Sequence, residues 1–164
     1  MGYRLATLAI LGGFLLGGCD IGIASANGDT PPYWSSLRYD KSNMRVGPGT
    51  TYPIDWEYRR AGLPVKVLRV REGWELVEDP DGAKGWFSTS QLSRRRTVLV
   101  TGDAPVALRE EAREEAAMLW TVEPGAVGVL IGCEGQWCEV DFERRRGWMP
   151  AQPLWGDEDP GVVE

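Results

Sequence analysis

The sequence of 164 residues contains no histidine. This absence removes the usual general base, the commonest neutral metal ligand and the histidine-dependent dyads that activate serine and cysteine nucleophiles. No other group of residues has the spacing of a metal site or of a nucleophile with its base. We therefore predict a protein that is not an enzyme and that uses no metal and no cofactor.

A carboxylate pair, Asp55 and Glu57, is one catalytic alternative in the sequence. Two carboxylates can hydrolyse glycosides when burial raises the pKa of one of them. Nothing around these residues indicates burial, and acidic residues are common throughout the chain. A cell-wall enzyme is therefore the weakest of the functional hypotheses.

Positive charge is in short supply, with 18 Lys and Arg against 24 Asp and Glu and a formal net charge of −6. An acidic protein repels polyanions at long range, so no nucleic-acid partner is expected. Two runs, Arg94-Arg95-Arg96 and Arg144-Arg145-Arg146, could bind phosphate or anionic lipid. Because both lie among acidic residues, we interpret them as solvated strand edges or turns.

Long hydrophobic runs are also missing, since the apolar stretch from Leu5 to Leu16 is too short to span a bilayer comfortably. It follows Arg4 and has the length of a signal-peptide core. The sequence therefore predicts an exported, periplasmic protein that meets the membrane only through its signal peptide or a lipid anchor.

Two processing sites compete at the end of this signal. Ala24-Ser25-Ala26 is a small-x-small site, which gives a signal peptide of residues 1–26. Leu16-Gly17-Gly18-Cys19 resembles a bacterial lipobox, which gives a signal of residues 1–18 and a lipidated Cys19. Asp20 would then favour retention at the inner membrane. Both alternatives stay open.

Glycine and proline are abundant, at 21 and 11 residues, and they separate short strand-like segments. Val65–Val70 alternates with a period of two, Glu72-Gly73 is a tight turn, and Trp74–Val77 is the returning strand. No window has a convincing helical pattern, so the fold is predicted to be all-β. Thr97–Val100, which is rich in β-branched residues, is expected to close this first set of strands.

The second half repeats the order of the first, which indicates an internal duplication. Trp120 follows Arg109 by eleven residues, just as Trp56 follows Arg45. We predict a first unit at residues 33–101, a second and divergent unit at 103–156, and a disordered acidic tail at 157–164. Further matched landmarks are Gly62 and Gly125, Trp74 and Trp137, and Gly85-Trp86 and Gly147-Trp148.

The segment from Glu110 to Met118 is rich in Glu, Ala and Arg and could form a helix. It occupies the position of the long first loop of the first unit, so we interpret it as a loop with at most a helical turn. Tryptophans 74, 86, 137 and 148 lie at strand starts and are expected to be mostly in the core.

The opening Asn43-Met44-Arg45-Val46-Gly47-Pro48, together with Gly73-Trp74 and Gly85-Trp86, resembles the bacterial SH3-like family. The run from Tyr52 to Val65 is similar to an exported proteobacterial subgroup without a catalytic domain. The resemblance implies tandem small SH3-like β-barrels after a signal peptide, each a five-stranded bent antiparallel barrel. The second unit lacks the Asn-x-Arg-x-Gly-Pro opening.

We expect the ligand contact to lie on the first loop of the first unit, where exposed rings can stack on sugar or peptide surfaces. The partner is predicted to be a peptide, an envelope protein or cell-wall peptidoglycan. The alternative is a scaffold that stabilises an envelope complex through its sheet edges. The candidate ligand-binding residues are Arg45, Gly47, Pro48, Tyr52, Trp56 and Tyr58.

Cys133 and Cys138 flank the turn Glu134–Trp137, which places them opposite each other in a hairpin. Antiparallel neighbours lie near the separation that a disulfide requires, and export favours oxidation. We predict a structural disulfide between them. Free thiols and a redox-active pair remain as alternatives, the latter without the Cys-x-x-Cys spacing.

Overall fold

The computed structural model describes residues 30–158, which form fourteen β-strands and a single 3₁₀ turn. Both proposed signal cleavage sites and Cys19 lie outside these residues. No helix within them has the length and apolarity to cross a bilayer. The strands are β1 Tyr33–Leu37, β2 Ser42–Arg45, β3 Ile54–Tyr58, β4 Pro64–Arg71, β5 Trp74–Glu78, β6 Lys84–Ser88, β7 Leu92–Ser93, β8 Thr97–Val100, β9 Val106–Arg109, β10 Met118–Val122, β11 Val127–Glu134, β12 Trp137–Phe142, β13 Arg145–Pro150 and β14 Leu154–Trp155, and the 3₁₀ turn is Thr89–Gln91.

The strands form two antiparallel sheets of seven with the same internal order. The first runs β3-β2-β6-β5-β4-β1-β7 and the second β10-β9-β13-β12-β11-β8-β14, so each strand has a counterpart seven places further along the chain. A β-bulge interrupts β4 against β5 and recurs at the matching place of β11 against β12. The predicted all-β tandem repeat is confirmed, and we call the two halves the first and second barrel.

The number and start of the strands differ from the sequence prediction. The first barrel opens with β1, ahead of the segment from Asn43 to Pro48 that the sequence marks as its opening, and each sheet has seven strands rather than five. The long first loop is a β-hairpin in which β3 pairs with β2. The first residues of β3 are exposed, so this edge strand shows no alternation with the core that could be recognised in the sequence. In the second barrel, residues 110–117 form the predicted loop without a helix.

Strand β8, Thr97–Val100, was assigned to the wrong half by the sequence prediction. It pairs with β11 on one side and with β14 on the other, so it opens the second barrel as β1 opens the first. The change from one sheet to the other therefore falls between β7 and β8, and not after residue 101. β-branched composition identifies a strand but contains no information about which neighbour it pairs with.

Each sheet encloses its own apolar core, and tryptophan is not the main component of either. In β6, Gly85 and Phe87 face inward while Trp86 is only half-buried. The same alternation in β13 buries Gly147 and Met149 and leaves Trp148 half-buried. The prediction that these tryptophans fill the core is wrong, because in a period of two the glycine before each ring takes the inward position.

The two barrels share an apolar joint. Leu99 of β8 and Val127 of β11 pack against the core of the first barrel. The rings of Trp34 and Trp155 meet edge to face, with centroids 4.6 Å apart. Since side chains from the second barrel complete the packing of the first, the halves are in close contact through buried surface.

The residues after β14 continue this joint. Arg96 Nη2 donates to the carbonyl oxygen of Gly156 at 2.9 Å, and Trp34 Nε1 donates to that of Glu158 at 2.8 Å. Asp157 is half-buried, and burial raises the pKa of its carboxyl group. The prediction of a disordered tail from residue 157 is therefore wrong for residues 157 and 158, and residues 159–164 lie outside the described part.

The predicted disulfide between Cys133 and Cys138 is confirmed. The two cysteines are directly paired across β11 and β12, with Cα atoms 4.0 Å apart. Cys138 is fully buried in the second core, so the bond ties the turn of this hairpin to the interior of the barrel.

Two buried tyrosines predict how stability responds to alkali. Burial and the Glu75 carboxylate raise the pKa of Tyr33 to about 12, and burial and Asp79 raise that of Tyr58 further. Unfolded tyrosines ionise near pH ~10, whereas these two remain protonated in the folded protein, so their contribution is intact below pH ~10 and is lost as the pH rises beyond it. Urea unfolding between about pH 8 and about pH 11 should therefore show a steep loss of stability above pH ~10.

The double variant Tyr33→Phe/Tyr58→Phe should flatten this alkaline loss. Tyr39 is half exposed and serves as the control, because Tyr39→Phe should keep the wild-type pH dependence. An alkaline loss that is the same in all three proteins would contradict the assignment to the buried pair.

Candidate functional site

The loop of residues 46–53 joins β2 to β3 at one end of the first barrel. Arg45 Nη1 donates to the carbonyl oxygen of Tyr52 at 2.6 Å, and the Val46 N–H donates to that of Pro53 at 3.2 Å. A guanidinium that binds a backbone carbonyl seven residues later holds the loop closed. Arg45 is therefore a positioning residue, although the sequence prediction made it a ligand contact.

The ring of Tyr52 lies over two glycines of this loop. A Cβ atom on Gly47 would come within 2.7 Å of Tyr52 Cγ, and one on Gly49 within 3.3 Å of Tyr52 Cδ2. Neither glycine has a positive φ, so the turn uses them for the space they leave and not for a left-handed backbone. Gly47 thereby contributes to the site by seating the ring, while Tyr52 keeps 45% of its surface exposed.

This ring forms one wall of a small surface cleft, which we call the first-barrel cleft. It has a volume of about 210 Å³. Pro48 and Tyr52 come from the loop, and Arg71, Glu72 and Trp74 come from the turn between β4 and β5. An aromatic ring and a proline on one side thus face a second aromatic ring and a pair of opposite charges on the other.

Two of the predicted contact residues lie elsewhere. Trp56 is 61% exposed on the edge strand β3 and does not line the cleft. Tyr58 is buried in the first core, and its hydroxyl group donates to Asp79 Oδ2 at 2.6 Å. Tyr58 is thus a structural residue. Of the six candidates, Pro48 and Tyr52 line the cleft and Arg45 and Gly47 support it.

Sequence reasoning missed Arg71, Glu72 and Trp74. Glu72 and Gly73 both have positive φ, 45° and 83°, which makes the two-residue turn that is typical of tight hairpins. The turn was recognised, but not its position against a loop some twenty residues away. Trp74 was interpreted as core, and a half-buried tryptophan beside a turn is the signal that could have pointed to the cleft.

Glu57 of β3, close to the first loop, is engaged in two ion pairs. Glu57 accepts from Lys41 Nζ at 2.6 Å and from Arg59 Nη2 at 2.9 Å, and both cations lower the pKa of this exposed carboxyl group. Such a carboxylate stays ionised and is a poor proton donor. Within residues 30–158, no group of three or more His, Cys, Asp or Glu side chains is placed to hold a metal ion. The arrangement suits binding through contact, stacking and charge.

In the second barrel, the equivalent arginine holds the corresponding loop in the same way. Arg109 Nη1 donates to the carbonyl oxygen of Ala116 at 2.9 Å, again seven residues later. Beside this loop lies a larger depression of about 570 Å³, which we call the second-barrel groove. Its lining includes residues 101–107, Arg109, Glu114, Trp137, Pro150 and Pro153.

Comparison with known proteins gives one curated relative. The chain is 23% identical over 124 residues to a protein of Bacillus subtilis (strain 168) named "Putative N-acetylmuramoyl-L-alanine amidase YrvJ". The aligned part covers 69% of this chain but 24% of the relative, so the chain spans about a quarter of that protein's length.

Solved structures with some likeness include NlpC2 from Trichomonas vaginalis and an NlpC/P60 family protein from Bacillus cereus ATCC 10987. The first has a TM-score of 0.35 at 12% identity, with 76% of this chain and 48% of that chain covered. The second has a TM-score of 0.34 at 13% identity, with 80% and 60% covered.

The family comparison agrees with the repeat seen in the sheets. The model of the family described as "Bacterial SH3 domain" matches residues 38–94 and again residues 102–156. Membership of the exported proteobacterial subgroup stays a prediction. The two matches together cover well over half of the sequence, and the chain therefore belongs to the bacterial SH3 domain family.

Proposed function

We propose that this protein is a non-catalytic binding protein that recognises cell-wall peptidoglycan through the first-barrel cleft. The observation that carries the proposal is that two aromatic rings, Tyr52 and Trp74, line one cleft together with Pro48. Aromatic rings stack on the apolar faces of sugars and on peptide bonds, and a ring held in place by its own loop loses little entropy on binding.

The charges of the cleft suit the peptide part of such a ligand. Arg71 offers donors to a carboxylate, and Glu72 offers an acceptor to an amine or an amide. The relative in Bacillus subtilis is named for the amide between N-acetylmuramic acid and L-alanine, where the sugar and the peptide of peptidoglycan meet. This name supports a wall ligand for the present chain.

An exported location is part of the same proposal. The disulfide between Cys133 and Cys138 supports it, because such bonds persist in oxidising compartments. The apolar stretch from Leu5 to Leu16 supports it independently as the core of a signal peptide.

Co-sedimentation with purified peptidoglycan tests the proposal. Wild-type protein should be retained at about 0.15 M salt, where long-range charge attraction is screened beyond ~8 Å. The double variant Tyr52→Ala/Trp74→Ala should bind at least ~10-fold more weakly, since aromatic anchors in a cleft carry most of the binding energy. Thermal unfolding of each protein confirms that the variants are folded.

Trp56→Ala is the matched control, because Trp56 is an exposed ring outside the cleft. It should be retained like the wild type. A wild-type protein that stays in the supernatant would refute the peptidoglycan ligand. Retention that is lost in Trp56→Ala but kept in the double variant would move the contact to the edge strand β3 and favour the scaffold hypothesis.

A further inference from the structure

The second-barrel groove has a volume of about 570 Å³, which is larger than the volume of about 210 Å³ of the first-barrel cleft. The sequence prediction placed the ligand contact on the first barrel, and the second barrel lacks the Asn-x-Arg-x-Gly-Pro opening. A groove is nevertheless present beside the loop of the second barrel, where this opening is absent. Its lining combines apolar residues with two acidic residues, Asp103 and Glu114.

The apolar residues of the lining are Trp137, Pro150 and Pro153, together with the small apolar residues of the 101–107 segment. Trp137 lies opposite Pro150 in the pairing of β12 with β13. Rings and prolines of this kind contact aliphatic chains and extended backbone without losing much rotational freedom.

Several parts of the groove lining are held by bonds within the protein. The Thr101 N–H and Oγ1 both donate to the carbonyl oxygen of Pro153, at 2.7 and 3.0 Å. Arg109 fixes the loop through Ala116, and the neighbouring disulfide braces the hairpin that presents Trp137. Because these bonds hold parts of the groove in place before a ligand arrives, binding requires little further ordering of those parts.

The acidic residues of the lining are Asp103 and Glu114, the latter from the loop at residues 110–117. This loop has the sequence Glu-Glu-Ala-Arg-Glu-Glu at residues 110–115. Its one arginine, Arg113, pairs with Glu111 at 2.8 Å, and Arg109 in the groove is engaged with a backbone carbonyl. The groove therefore presents an excess of negative charge to a ligand.

The first barrel differs in the charge of its corresponding loop. Its loop at residues 46–53 has no charged residue, and the cleft beside it contains one arginine and one glutamate. The two barrels share the hydrogen bond from arginine to a loop carbonyl, but the sequences of the loops themselves differ. Two copies that bind different ligands are expected to differ in the charge of this loop while they keep the arginine bond that holds it.

We propose that the second-barrel groove binds a short extended peptide that carries a lysine or arginine side chain. The cationic group is attracted to Asp103 and Glu114, while the neighbouring residues of the peptide lie against Trp137, Pro150 and Pro153. This site is separate from the peptidoglycan contact proposed for the first barrel, and it gives the protein a second ligand of its own.

A phage-displayed library of random heptapeptides, panned against the full-length protein, tests this assignment. The selected peptides should be enriched in Lys or Arg next to apolar residues. A synthetic copy of a selected peptide should shift the indole N–H resonance of Trp137 in a two-dimensional NMR spectrum. Its affinity should fall with added salt, because exposed charges are screened.

A variant of the two acidic groove residues and a control variant outside the groove give the decisive comparison. The double variant Asp103→Asn/Glu114→Gln should weaken the peptide about fivefold, in keeping with the modest strength of exposed charge pairs. Glu123→Gln is the control, since Glu123 is an exposed acid of the same barrel that does not line the groove. It should leave the affinity unchanged.

The result is independent of the first-barrel proposal. Tyr52→Ala/Trp74→Ala should bind the peptide as the wild type does, whether or not it still binds peptidoglycan. A selection without cationic enrichment, an affinity unaffected by Asp103→Asn/Glu114→Gln, or a peptide lost only with Tyr52 and Trp74 would each overturn the assignment.

Discussion

Gly147→Ala is expected to lower the free energy of unfolding by roughly 3 kcal/mol, the upper range for an overpacked core position. A Cβ atom on Gly147 would come within 2.7 Å of the carbonyl oxygen of Arg109 and within 2.8 Å of Leu108 Cγ. A backbone oxygen cannot rotate out of the way as a side chain can. The strands β13 and β9 must therefore separate, and they are joined there through Trp148 and Arg109.

Gly132→Ala is the matched control in the same barrel. No atom lies within 4 Å of a Cβ at Gly132, and its φ is not in the left-handed region. This variant should be neutral or gain up to about 1 kcal/mol, because alanine restricts the unfolded chain. Urea unfolding followed by tryptophan fluorescence measures both. Equal midpoints for the two variants would show that the β13–β9 contact yields at little cost.

Asp79→Ala is expected to destabilise the protein by about 3 kcal/mol, since it removes three hydrogen bonds to one buried carboxylate. Asp79 Oδ1 accepts from the N–H groups of Asp81 and Ala83 at 3.0 and 2.7 Å. Asp79 Oδ2 accepts from the hydroxyl group of Tyr58 at 2.6 Å. The substitution leaves both the turn amides and a buried hydroxyl group without their acceptor.

Asp81→Ala provides the comparison, because Asp81 is an exposed acid in the same turn. It should change the stability by less than ~0.5 kcal/mol, as is usual for surface sites. Asp79→Asn should fall between the two, since an amide oxygen can replace one acceptor but the negative charge is lost. A cost below about 1 kcal/mol for Asp79→Ala would mean that water replaces the carboxylate in this turn.

Much of the fold could be predicted because local signals and tertiary structure agree in the middle of each barrel. The alternation of Val65–Val70, the turn at Glu72-Gly73 and the pairing of Cys133 with Cys138 depend on neighbours in sequence. These features occur in hairpins, where the chain returns on itself within a few residues. Local sequence is therefore sufficient to specify them.

The candidate site was less predictable because it depends on which way residues face at an edge. The bulge between Met44 and Arg45 places Arg45 opposite Ile54 and Met44 opposite Trp56. Trp56 and Tyr58 lie two residues apart on β3, yet only the Tyr58 end of this edge strand reaches the core and Trp56 stays exposed to solvent. The approach of the Glu72 turn to the first loop is a tertiary contact, and no local pattern encodes it.

The placement of Leu99 and Val127 against the first core has a consequence for how the molecule works. Two modules on a flexible tether can each seek a ligand alone, and the second then benefits only from a raised local concentration. Here the apolar joint between the barrels leaves no flexible tether, so the cleft and the groove keep a fixed distance and direction relative to each other. If both proposed sites bind, only ligands whose spacing and direction match this fixed arrangement can occupy the cleft and the groove together.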